Sequence, residues 1–150
     1  MAAQLPKGGA AVFFSNDIYP TSADGTLPFK QASDIFYLTG VDQEETILVL
    51  FPSANQKGFR EILFVRETNE HIAVWEGAKL NKRQATEQTG IANIQWVSEF
   101  EKVMRVVMNE AQILCLNDNA HTRATIEVET REMRWNEKLR KDYPNHAVAQ

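Results

Sequence analysis

Short apolar segments separated by polar turns fill the first half of the chain. Apolar side chains at successive positions put both faces of such a segment in a hydrophobic environment, which is typical of interior strands covered on both sides. The pattern predicts strands at 10–14, 35–38, 46–51, 61–65 and 71–75. Because short polar turns separate the later ones, we expect them to pair as an antiparallel meander.

The segment 35–38, Ile-Phe-Tyr-Leu, consists of four large apolar residues and is followed two residues later by a glycine. As a strand it would place Ile35 and Tyr37 on one face and Phe36 and Leu38 on the other. We therefore expect Phe36 and Tyr37 in the core, and Gly40 at the turn where the chain leaves the strand.

The second half alternates helices and strands. Asn81 with Gln84 three residues later has the spacing of a capping box, and Gly90 is a helix stop, so 82–89 is predicted to be helical. Ser98 with Glu101 has the same capping-box spacing before a helix with a single apolar stripe. That stripe comprises Phe100, Val103, Met104 and Val107.

Two further short strands and a long charged helix complete the pattern. The strands are predicted at 94–97 and 112–116, and the helix at 122–143. Pairs four residues apart, Glu127 with Arg131 and Glu137 with Lys141, support that helix. The last residues, Tyr-Pro-Asn-His-Ala-Val-Ala-Gln, are typical of the start of a linker. The whole predicts one domain, residues 1–150, of the α/β class with a mixed sheet and helices packed against it.

Composition and charge exclude some classes of binding partner. With a net charge of −4 and a pI of about 5.4, the chain offers no field that would attract nucleic acid or an anionic membrane. The longest apolar run, 46–51, is far shorter than the roughly 20 residues of a membrane span. The first residues lack the apolar centre of a signal peptide, so a cytoplasmic protein is expected.

The sequence contains no recognisable catalytic constellation: no G-x-S-x-G, no glycine-rich phosphate loop and no H-E-x-x-H. Cys115 lies in an apolar run and is interpreted as an inert buried thiol rather than a nucleophile. The histidines are isolated, and His71 is expected at the surface. Glu44 and Glu45 are interpreted as a solvated turn rather than a metal site. Asp17 and Asp34 are a weaker alternative, a Mg²⁺ pair for nuclease chemistry, which a basic surface would have to accompany.

One stretch carries a family resemblance. Residues 15–40 contain Asn16-Asp17, then Phe-Lys-Gln with Lys30 at its centre, then Ser-Asp ending at Asp34, and finally Tyr37-Leu-Thr-Gly40. Trp75 and Gly77 form a Trp-x-Gly farther on. In this order and spacing the motifs resemble the N-terminal domain of bacterial Xaa-Pro aminopeptidases (aminopeptidase P), of the creatinase/prolidase N-terminal type, and the similarity runs across most of the chain.

The resemblance implies a mixed sheet similar to the ribonuclease H arrangement, without catalytic or metal-binding residues of its own. Catalysis would belong to a following "pita-bread" metallopeptidase domain that holds two Mn²⁺ or similar ions through two Asp, one His and two Glu. The parent would release the N-terminal residue preceding proline from a peptide, and would be a dimer or tetramer. A relative specific for creatine or for dipeptides is a further possibility.

For this domain the resemblance implies oligomer contacts and a share in the substrate entrance. Trp75 is the candidate for that role, and the alternative is that its indole simply packs against the sheet. Gly40 and Gly77 are interpreted as conformational, so that valine at either position should destabilise the fold. The sequence departs from the family where Ser15 and Lys30 replace arginines. As a different class of function, the domain would be a binding module without a peptidase partner, as in peptidase-like histone chaperones.

Overall fold

A six-stranded mixed sheet runs through the middle of the molecule. In the computed structural model, which describes residues 4–119, 123 and 128–150, the sheet has the order β4-β3-β2-β1-β5-β6. The pairs β1–β2 and β2–β3 are antiparallel, and the three other neighbouring pairs are parallel. The predicted α/β class is confirmed. The strands are β1 (Gly9–Phe14), β2 (Ile47–Leu50), β3 (Glu61–Val65), β4 (Asn93–Trp96), β5 (Ile113–Leu116) and β6 (Ala147–Ala149).

Helices cover both faces of this sheet. They are α1 (Ser33–Thr39), α2 (Glu70–Glu76), α3 (Lys82–Thr89), α4 (Phe100–Glu110) and α5 (Arg131–Asp142). The side chains of α4 and α5 join one hydrophobic core, and those of α1 and α3 join the other. Because both faces are covered, the central strands are apolar at successive positions, which is the pattern that predicted them.

Aromatic rings pack against one another in the core beneath α4 and α5. The Phe14 ring of β1 stacks on Trp135 of α5, with 5.6 Å between ring centroids. Phe100, the first residue of α4, meets Phe14, Phe64 and Trp135 edge-on. Val12 and Val49 are direct neighbours in the β1–β2 register and contribute to the same core. The predicted apolar stripe of α4 thus packs where expected.

The prediction of a strand at 35–38 is wrong. These residues form the centre of α1, in which Ile35 and Thr39, four residues apart, are buried. Phe36 is 50% exposed and Tyr37 is 85% exposed, so neither belongs to the core. Gly40 ends a helix, not a strand: its φ of 70° is left-handed and its N–H donates to the carbonyl of Phe36. The observed meander is therefore β1-β2-β3.

The prediction of a strand at 71–75 is also wrong. Residues 70–76 form α2, and the Asn69 side chain caps it by accepting from the N–H of Ile72. Gly77 follows with a φ of 82°. By contrast, the predicted helix at 82–89 matches α3, with both hydrogen bonds of its capping box between Asn81 and Gln84.

Three smaller expectations need correction. Ser98 does not cap α4, which begins after a 3-10 turn and has no side-chain cap hydrogen bond. Helix α5 begins at Arg131, later than predicted, and Glu127 lies outside the described residues. The tail expected to be a linker instead adds the short strand β6 beside β5. No helix within the described ranges has the length and hydrophobicity that crossing a bilayer requires.

Candidate functional site

Polar side chains gather at one end of the sheet. β1, β3 and β5 finish there and β2 begins there, because β2 is antiparallel to both β1 and β3. Ser15, Thr46, Arg66 and Asn117 are the residues that flank these strand ends. We call this region the polar end of the sheet. It receives side chains from the loop before β2, from the segment after α2 and from α5.

A buried carboxylate organises the part of the polar end next to α2. The Glu44 side chain is only 7% exposed, and its Oε1 accepts from Lys79 Nζ at 2.7 Å and from Arg66 Nη1 at 3.1 Å. Arg66 Nη2 also binds the carboxylate of Glu76, the last residue of α2. We call these four residues the Glu44 cluster. The expected solvated turn is therefore wrong for Glu44, although Glu45 is exposed.

The electrostatics of Glu44 favour its charged form. Burial alone would raise the pKa of this carboxyl. The hydrogen bond and charge of Lys79, a backbone hydrogen bond and the hydrogen bond from Arg66 outweigh burial, so the pKa of Glu44 is lowered. Glu44 is therefore charged near neutral pH and pairs with both Lys79 and Arg66.

In the part of the polar end next to α5, Ser15 takes the place of the arginine expected from the family pattern. It is buried, and its Oγ accepts from the N–H of Thr46 at 3.0 Å and from Arg131 Nη1 at 3.1 Å. Arg131, the first residue of α5, is itself buried and lies over the ring of Phe14. The guanidinium beside Ser15 thus comes from α5.

Asp17 and Asp34 have separate partners. Asp17 pairs with Arg134 at 2.7 Å, and Asp34 accepts from Asn117 Nδ2 at 2.8 Å. Asn117 also donates to Glu132, whose pKa is raised by burial. Within the part of the chain that the structure describes, no group of three or more His, Cys, Asp or Glu residues is placed to hold a metal ion. Asp17, Asp34 and Glu132 are thus each engaged by an arginine or an asparagine side chain.

The other motif residues shape the loops around α1. Asn16 Nδ2 donates to the carbonyl of Lys30 at 3.0 Å, so the structure brings these two predicted residues together. The next residue, Gln31, is buried and donates to the carbonyls of Val41 and Gln43. These bonds hold the two sides of α1 close together. They give the motif a structural role.

Trp75 lies on α2 and is 79% exposed. It does not pack against the sheet, so the alternative interpretation of this residue is wrong. Its neighbour Val74 is similarly exposed, and α2 contains no buried residue at all. Two large apolar side chains are therefore presented outward on one short helix.

The remaining candidates lie away from any site. His71 is exposed on α2, as predicted. Cys115 is half-buried in β5 rather than buried as expected, and burial raises the pKa of its thiol, which favours the protonated form. The only local sign of the Glu44 cluster in the sequence is the adjacent acidic pair Glu44-Glu45. Its basic partners lie 22 and 35 positions farther along the chain, beyond the reach of any local pattern.

Comparison with known proteins agrees with the motifs. The family model described as "Aminopeptidase P, N-terminal domain" matches residues 1–115. The Xaa-Pro aminopeptidase of Escherichia coli (strain K12) is 29% identical over 111 residues, which cover 74% of this chain and 25% of that protein. The Xaa-Pro aminopeptidase of Haemophilus influenzae is 26% identical over 120 residues, covering 80% and 27%. The matches thus span about a quarter of each of these relatives.

Solved structures share the fold over nearly the whole chain. A zinc-substituted aminopeptidase P of E. coli in complex with product matches 99% of this chain and 33% of its own, with a TM-score of 0.75 and 26% identity. A Bacillus anthracis protein assigned as an aminopeptidase P matches 99% and 35%, with a TM-score of 0.82 and 22% identity. The chain belongs to the aminopeptidase P N-terminal domain family.

Proposed function

We propose that this chain is the non-catalytic N-terminal domain of a metal-dependent Xaa-Pro aminopeptidase. The parent protein releases the N-terminal residue that precedes proline. Two bacterial relatives carry that activity in their names, and the matches with this chain span 25% and 27% of their lengths. A catalytic domain that follows this one would account for the rest. A cytoplasmic location is part of the proposal, since a chain with one cysteine cannot form an internal disulfide.

The residues described here do not fit the metal pair of such an enzyme. Asp17, Asp34 and Glu132 have Arg134 or asparagine partners, and no ligand cluster is available among the described residues. One of the solved relatives is zinc-substituted, and it is three times as long as the part that this chain matches. In our proposal the ions, two Mn²⁺ or similar, belong to the catalytic domain, and this domain performs no chemical step.

The observation that carries the domain's role is the exposure of Trp75 on a helix tied to the sheet by ion pairs. An indole offers a broad apolar surface and one N–H donor, which suits contact with a peptide or a neighbouring subunit. We propose that Trp75 borders the substrate entrance, from its own subunit or from the partner in a dimer or tetramer.

Replacement of Trp75 by alanine in the full-length protein tests this role. We expect KM for an Xaa-Pro peptide to rise by roughly fivefold or more, or the oligomer to dissociate, because large buried aromatic contacts dominate such surfaces. Steady-state kinetics and sedimentation measure the two outcomes. Val106→Ala is the matched control, since Val106 is an exposed apolar residue of α4. If W75A changes neither KM nor assembly, the proposed role of Trp75 is wrong.

A binding module without a peptidase partner is the other class of function for this fold. The exposed apolar side chains of α2 would then contact a protein partner. Hydrolysis of Xaa-Pro peptides by the full-length protein separates the two functions, because only the peptidase turns substrate over.

A further inference from the structure

Helix α2 makes few packing contacts that would hold it in place. It is seven residues long and contains no buried residue. Isolated helices shorter than about 12 residues are marginal in water, and tertiary contacts normally supply the missing stability. For α2 those contacts are half-buried Ile72 and Ala73 and a set of polar tethers. The orientation of Trp75 therefore depends strongly on the tethers.

The tethers converge on the loop before β2. Arg66, which follows β3, binds Glu76 at the end of α2 and Glu44 in that loop. Lys79, two residues beyond Gly77, binds the same Glu44 oxygen at 2.7 Å. The N–H of Leu80 donates to Gln43 Oε1 at 3.0 Å, next to Glu44. The segment immediately after Trp75 is thus fixed at three successive points to residues 43 and 44 and to Arg66.

Glu44 is the centre of this arrangement because both cations reach one of its oxygens. It is also the most buried member: its side chain is 7% exposed, against 28% for Arg66, 24% for Lys79 and 44% for Glu76. Loss of its charge would leave Arg66 and Lys79 without their shared partner. Nothing in the hydrophobic cores would then replace the lost contacts, since α2 contributes no side chain to either.

We propose that Glu44 is a positioning residue that fixes the direction of Trp75 through Arg66 and Lys79. The inference rests on the proposed role of Trp75 at the substrate entrance and adds the residue that holds it there. Glu44 itself touches no substrate. It acts by keeping α2 and the turn after it in a single orientation relative to the sheet.

A double-mutant cycle in the full-length protein tests the proposal. Glu44→Gln keeps the size of the side chain and removes its charge, and we expect KM for an Xaa-Pro peptide to rise by roughly fivefold with kcat little changed. If Glu44 acts through Trp75, the double variant E44Q/W75A should have the KM of W75A alone. Two results would overturn the positioning role and leave the proposed function intact. One is a KM in the double variant that is raised by the product of the two single effects; the other is an unchanged KM in E44Q while W75A raises it.

Amide hydrogen exchange supplies a measurement that does not depend on activity. In E44Q the amides of residues 70–80 should exchange roughly tenfold faster or more. Lys79→Met removes the same contact from the other side and should have the same effect if E44Q folds poorly. Glu137→Gln, which breaks an exposed pair with Lys141, is the matched control. Unchanged exchange in both E44Q and K79M would contradict the tether, even if W75A shows no kinetic effect and the proposed function fails.

Discussion

Ile35 and Tyr37 lie two positions apart on α1 and have opposite surroundings. Ile35 is fully buried in the core beneath α1 and α3, whereas Tyr37 is exposed. A helix turns about 100° per residue, so positions two apart cannot share one narrow face. A strand would have placed the two side chains on the same face.

This difference predicts the stability of two alanine variants. Ile35→Ala should lower the free energy of unfolding by about 2–5 kcal/mol, because it leaves a cavity in a closed core. Tyr37→Ala should change it by less than about 0.5 kcal/mol, as expected of an exposed side chain. Urea denaturation of the 150-residue chain measures both. A large loss for Tyr37→Ala would instead support a strand with Tyr37 in the core.

Glu44 links stability to pH. Its pKa is lowered in the folded state, so its contribution is present above the ordinary value of 4.5 and is lost as the pH falls through the lower folded value. We expect Glu44→Gln to cost about 1–3 kcal/mol near pH 7. The gap between the variant and the parent chain should be fully present above pH 4.5 and should close as the pH falls through the lower folded value. Denaturant midpoints measured from pH 7 to pH 3 check this, and a gap that widens in acid would refute it.

Helices α3 and α4 have the same capping-box spacing in the sequence, but only α3 has the cap in the structure. Asn81 makes both bonds of a capping box with Gln84 at the start of α3, whereas Ser98 makes no cap bond to α4. Asn81→Ala should therefore destabilise the chain by about 1 kcal/mol, and Ser98→Ala should have almost no effect. Thermal unfolding of the pair of variants measures the difference. Equal losses at both positions would mean that Ser98 does cap a helix in solution.

At the scale of elements, the sequence predicts the central strands well but mistakes the short helices α1 and α2 for strands. The segments 46–51 and 61–65 became β2 and β3 because both of their faces are covered. The segments 35–38 and 71–75 are equally apolar, but a run of four or five residues does not reveal its period. The residues that flank an apolar run are a better sign of a helix than the run itself. Asn69 and Gly77 bracket α2 just as Asn81 and Gly90 bracket α3.

The candidate site was less accessible to sequence reasoning than the fold. The Trp-x-Gly motif identified Trp75, but its exposure follows from the helical form of 70–76, which the apolar pattern concealed. The Glu44 cluster joins residues from three separate segments. Such ion pairs depend on how β2 and β3 pair, and only the assembled sheet determines that.

At the scale of the whole molecule, the mixed sheet has a hydrophobic core on each face and polar side chains at one end. The described surface presents apolar side chains on α2 and holds them with ion pairs instead of core contacts. This division is consistent with the proposed role of Trp75 at the substrate entrance.

Hydrolysis of an Xaa-Pro peptide in the presence of Mn²⁺ tests the central claim most directly. The full-length protein and the 150-residue chain are assayed side by side, with circular dichroism to show that the shorter chain is folded. We predict that the full-length protein releases the residue preceding proline and that the folded 150-residue chain does not. Release by the short chain alone, or none by the metal-loaded full-length protein, would contradict the account.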